Sequence, residues 1–105
     1  MTRRVSLYRW DALELQKVTE MISRKVITGA GQMLAQAYFK KGALVPMHEH
    51  EGGQMIYVLQ GALRTLVDGE EVTVREGEVL HVPAHVAHQA EALDDTFVLE
   101  VRRSV

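Results

Sequence analysis

The 105-residue chain contains no cysteine, so disulfides and thiolate metal ligands are both excluded. No apolar run approaches the roughly 20 residues needed to cross a bilayer. No apolar segment follows the basic start around Arg3 and Arg4 as a secretory signal would require, and cytoplasmic residence is the expectation. Charge of one sign is also lacking. A formal net charge of −2 leaves no basic footprint for nucleic acid, and Arg3, Arg4 and Arg9 read as a solvated terminus. Repeats, linkers and low-complexity tracts are missing as well. What remains is 47% hydrophobic and 25% charged, the balance of a soluble globular domain. At this length one domain over residues 1–105 is expected, with a real core but a small one that association would help.

Turn residues punctuate the chain at short intervals: Gly29 to Gly31, Gly42, Gly52 and Gly53, Gly61, Asp68-Gly69, Gly77, Pro83 and Asp94-Asp95. Between them lie stretches of strand length at 21–28, 33–40, 54–59, 62–67, 72–75, 79–82 and 96–102. Many short strands separated by turns predict an all-β sandwich or barrel. Asp68-Gly69 is the sharpest local signal, because glycine at the second position takes the positive φ of a tight hairpin. Residues 11–20 alone have helical character, and one apolar turn there fits a strand approach equally well.

Three histidines and a glutamine carry the chemistry. His48 and His50 are separated by one residue, so on extended backbone both imidazoles project from the same face and can share an ion. Gln54 follows with the same parity, and His88 arrives from a distant segment, as closure of a barrel would require. Neutral imidazole suits zinc, copper, iron and nickel, while an amide oxygen is a harder donor acceptable to manganese or iron. Gln54 either ligates the ion, hydrogen-bonds a water held by it or marks a degenerate site. Ligation is the expectation, and the ion would then keep its full dipositive charge and act as the stronger Lewis acid.

Parity along the strands assigns faces. If Gln54 points inward, so do Ile56 and Val58, leaving Met55, Tyr57 and Leu59 on the opposite face. That apolar outer face meets either a second subunit or the chain's own N-terminal segment. On the last strand Val98, Glu100 and Arg102 share one face, and an acid in that run either faces water or reaches into the barrel. His85 falls in a loop and is expected to be solvated. His81 is mid-strand, where it lines the cavity or simply packs, and Tyr38 offers a phenol to a ligand or belongs to the core.

Gly42, five residues, His48, one residue, His50, three residues, Gln54, six residues and Gly61 form a segment similar to the first cupin motif. Gly77, five residues, Pro83 and then His88 resemble the second. The two motifs cover about residues 42–61 and 77–92. This chain departs from the pattern at Gln54, where glutamate is usual, at His85, where glycine is common, and at Ala92, where asparagine often stands. The resemblance implies a cupin-type jelly-roll β-barrel that holds one divalent transition metal (Mn, Fe, Ni, Zn or Cu) and dimerises. Among cupins, a ligand set of three histidines and a glutamine resembles that of the small proteins that rearrange unsaturated uronates in pectin breakdown, and that of the cupin-type hydroxynitrile lyases.

By that resemblance Glu100 matches a catalytic carboxylate by position, and Arg102 stands where the uronate-rearranging proteins carry an aromatic residue. The expected function is lyase or isomerase chemistry on a small carbonyl, hydroxyl or sugar-acid substrate, with Tyr38, His81 and Arg102 as substrate-binding candidates. A metal-dependent dioxygenase is the rival within enzymes. A non-enzymatic ligand-binding or sensor module is the rival outside them.

Overall fold

The computed structural model describes residues 5–103, so Arg3 and Arg4 lie outside the described residues. A short 3-10 turn at Trp10–Ala12 is followed by ten strands. They are β1 (Gln16–Lys17), β2 (Ile22–Gly29), β3 (Gln32–Phe39), β4 (Leu44–His48), β5 (Gln54–Gln60), β6 (Ala62–Val67), β7 (Glu70–Arg75), β8 (Val79–Val82), β9 (His88–Ala92) and β10 (Thr96–Arg103). They form two antiparallel sheets, one ordered β1-β2-β3-β10-β5-β8 and the other β4-β9-β6-β7. The last strand therefore inserts between β3 and β5, in the middle of the larger sheet. Among the described residues no helix is long and apolar enough to cross a membrane.

Local sequence explains the joints. Asp68 and Gly69 both take positive φ, 49° and 79°, so a two-residue turn matches the strand twist and sets Val67 opposite Glu70. That register starts β7 at Glu70 rather than at residue 72. Gly61, between β5 and β6, has φ 88°, and a Cβ there would sit 2.5 Å from both the Asp95 carbonyl oxygen and Thr96 Oγ1. Only glycine meets both demands.

Residues 11–20 form no helix; the 3-10 turn and the two-residue strand β1 occupy this stretch. β4 and β9 are strands that the pattern did not foretell. Leu44–His48 contains Pro46, and His88–Ala92 is poor in β-branched and aromatic residues. Pro46 is tolerated because β4 is an edge strand whose pairing with β9 is irregular between Val45 and His48.

The core lies between the sheets. Leu63, Val58, Val82 and Val98 are its largest fully buried side chains, each contributing about 1.5–3 kcal/mol by leaving water. On β5 burial alternates strictly over residues 54–58, with Gln54, Ile56 and Val58 buried and Met55 and Tyr57 exposed. Registers then define inward rows across the larger sheet. Arg24 lies opposite Ala37, which lies opposite Val98; Val26, Ala35, Glu100 and Ile56 form the next row; Thr28, Met33, Arg102 and Gln54 form the third. Apolar filling thus gives way, along β5 and β10, to polar side chains.

Candidate metal centre

His48 and His88 are directly opposed across the β4–β9 pair, which brings together residues 40 positions apart in the chain. His50 lies just past the end of β4, and its ring meets that of His48 edge-on, with Nε2 atoms 3.1 Å apart. Ligand atoms from His48, His50 and His88 all fall within 4.8 Å of one another.

The backbone fixes two of the tautomers. His48 Nδ1 is 2.8 Å from the Pro46 carbonyl and His88 Nδ1 is 2.9 Å from the Val86 carbonyl. A carbonyl oxygen only accepts, so Nδ1 carries the proton in both rings and the Nε2 lone pair is free to face the cluster. Burial, then the Arg102 guanidinium and the other two imidazoles, pushes His50 down to about 4. It is therefore neutral at physiological pH and able to ligate.

Gln54, at the start of β5, is buried, and its Nε2 donates to Glu100 Oε1 at 3.1 Å. Its own Oε1 and His88 Nε2 are buried with no hydrogen-bond partner among the described residues. Unpaired buried acceptors are costly, and these two are the atoms that a cation would take. The donor set of three imidazoles and an amide oxygen fits a divalent transition metal.

These groups line a cavity of about 310 Å³ between the sheets, with Glu100 and Arg102 on its wall. That volume suits a small molecule. Arg102 Nη1 lies beside both ring nitrogens of His50, 3.0 Å from Nδ1 and 3.2 Å from Nε2, so it does not select the tautomer. The His48 contact does: the lone pair of His48 is on Nε2, so His50 Nε2, 3.1 Å away, carries the proton and leaves the His50 lone pair on Nδ1. Ligation through His50 Nε2 requires the opposite tautomer, and Arg102 would then lose its acceptor and be free to serve the cavity.

Two of the expected substrate-binding residues lie elsewhere. Tyr38 is on the outer face of β3, stacked on Phe97 with ring centroids 4.6 Å apart, because its neighbour Ala37 takes the inward position. His81 is exposed on β8 opposite Met55, because Val82 beside it is buried and strand parity turns His81 outward. His85 is exposed as expected, with φ 62°, a left-handed backbone that accounts for the motif's preference for glycine there. Sequence reasoning missed Arg24, which lines the cavity from β2. On β2 both faces carry a cation, Arg24 on one and Lys25 on the other, so alternation alone did not choose between them.

A family model described as cupin domain matches residues 36–101. The pectin degradation protein KdgF of Dickeya dadantii is 26% identical over 91 residues, covering 85% of this chain and 83% of that protein. The uncharacterized protein MJ1618 of Methanocaldococcus jannaschii is 27% identical over 75 residues, 70% of this chain but only 60% of its own length. The structure of KdgF from Halomonas sp. superposes with a TM-score of 0.88 at 28% identity, covering 97% of this chain and 96% of that one. With the two-sheet fold, the paired histidine motifs and a family match over most of its length, this chain belongs to the cupin family.

Proposed function

We propose that the chain is a metal-dependent lyase or isomerase acting on a small molecule that bears a carbonyl, hydroxyl or sugar-acid group. His48, His50, His88 and Gln54 would hold one divalent transition metal, which supplies Lewis acidity toward a substrate oxygen. Glu100 is the proton-transfer residue. The observation that carries this reading is the position of its carboxylate, on the wall of the same cavity and hydrogen-bonded to Gln54. A carboxylate there is anchored by one oxygen and keeps the other for a proton, as a general base requires. The likeness to pectin degradation proteins supports the choice of a sugar acid or a similarly oxygenated compound. The acting form is a homodimer, a reading supported by the exposed apolar outer face of the larger sheet.

The test is turnover. Purified protein is screened with unsaturated uronates, cyanohydrins and small diketones, wild type beside Glu100→Gln. The variant is expected to keep fold and metal while losing on the order of 10²-fold in rate. Equal turnover in the two would remove Glu100 from the mechanism, and ligand binding without turnover would make the protein a binding module.

A further inference from the structure

The roles assigned above leave Arg24, a charged cavity residue, unused. Arg24 points inward from β2 and lines the cavity that holds the histidines. Its Nε is buried without a hydrogen-bond partner, and it forms no ion pair among the described residues. A guanidinium in that condition is poor structural material, since β2 needs only an apolar side chain to pack there.

Charge around the cavity makes the same point. Its wall carries two guanidinium groups, Arg24 and Arg102, and a single acid, Glu100, already accepting from Gln54. The histidine and glutamine donors are neutral, so a bound divalent ion adds to the positive excess instead of cancelling it. An anionic guest reduces that excess, and a planar carboxylate matches the fork that a guanidinium presents through Nε and Nη.

The sheet leaves room for such a guest. Ala37, which lines the cavity, stands between Arg24 and Val98 in one row, while Ala35, between Val26 and Glu100 in the next, is fully covered. Nothing longer than a methyl group rises from β3 between Arg24 and Glu100. Two strand spacings, on the order of 10 Å, separate β2 from β10.

Resting on the proposed metal-site function, we propose that Arg24 is the carboxylate anchor of this cavity and a specificity-determining residue. The substrate is then a small organic acid lying over Ala37. Its carboxylate is at the β2 side, and the oxygen-bearing carbon that reacts is at the histidine end.

Calorimetric titration tests this with linear dicarboxylates from malonate to adipate and their neutral diamides. The proteins are wild type, Arg24→Gln and Arg24→Met, each metal-loaded and metal-stripped; methionine fills similar space with no polar group to bury, so it serves if the glutamine variant does not fold. At least one dicarboxylate is expected to bind wild type, and to lose about tenfold or more in both folded variants, with diamide binding unchanged. The same loss is expected without metal, because the Arg24 contact is independent of the ion. Dicarboxylate affinity unchanged in the variants, or no dicarboxylate binding by wild type, would overturn the anchor. Failure of the protein to bind metal, with Arg24-dependent dicarboxylate binding retained, would overturn the metal-site function and leave the anchor standing.

Discussion

Glu100 decides which way round the Gln54 amide sits. An ionised carboxylate accepts and never donates, so the amide nitrogen must face Glu100 at 3.1 Å and the amide oxygen must face away. The oxygen so released is the buried, unpartnered one. This also gives a reason for glutamine where the cupin motif usually has glutamate: a second carboxylate at that distance from Glu100 would be repelled by it.

The pair can be tested as a unit. Gln54→Glu alone brings two carboxylates together, and one of them should become harder to ionise. Metal affinity, measured by competition with a chromophoric chelator, is expected to change in this variant. Adding Glu100→Gln restores an amide–carboxylate pair with its ends exchanged and should recover stability beyond the sum of the single effects. Strict additivity would mean that the two side chains do not interact.

Removing the imidazoles should separate metal from fold. His48→Ala with His50→Ala is expected to abolish stoichiometric metal by elemental analysis while far-ultraviolet circular dichroism stays that of a β protein, since the core is apolar and lies apart from these half-exposed rings. Full metal retention in the double variant would refute the assignment of ligands.

The outer face of the larger sheet sets a third expectation. Met55 lies opposite Val101, and Tyr57 opposite Val79; all four are exposed, at 51%, 43%, 38% and 56%. Light scattering at micromolar concentration should report a homodimer. Met55→Glu with Val101→Glu should give a monomer that still binds metal, and a monomeric wild type would refute the interface.

Metal-stripped protein should be acid-sensitive through His50. Its folded value, about 4, lies below the ordinary 6.5, so between those limits the unfolded chain binds a proton that the folded chain refuses. The contribution of His50 to stability is complete above the upper value and is lost as pH falls through the lower one. Urea midpoints at about pH 7.5 and about pH 4.5 should differ less in His50→Asn than in wild type. An equal difference in both would assign the acid sensitivity to other groups.

Much of this was legible in the chain because its signals are local. The Asp68-Gly69 turn, the alternation at Gln54, Ile56 and Val58, and the histidine spacing each depend on a few neighbouring residues. Other features depended on distant partners. Whether Glu100 faces water or the cavity is decided by its register beside the inward-facing Ala35 of β3 and Ile56 of β5, which no property of residues 96–103 announces. For Tyr38 and His81 the chain left two readings each, and strand parity turns both outward. The small Ala37 and the buried Val82 claim the inward positions beside them. Pro46 obscured β4, and with it the direct pairing of His48 with His88.

His48 and His88 belong to the smaller sheet, and Gln54 to the larger. A chain with no cysteine has no disulfide to tie its two layers together beyond the backbone that connects them. One ion held by this set would act as a reversible cross-link between them, so the melting temperature becomes a reading of free metal concentration. At 100 times the dissociation constant such a tie adds about 2.7 kcal/mol. A chelator would then loosen the sandwich as a reductant loosens a disulfide-bonded one, and the conditions of cellular metal supply would set how firmly the two sheets are held.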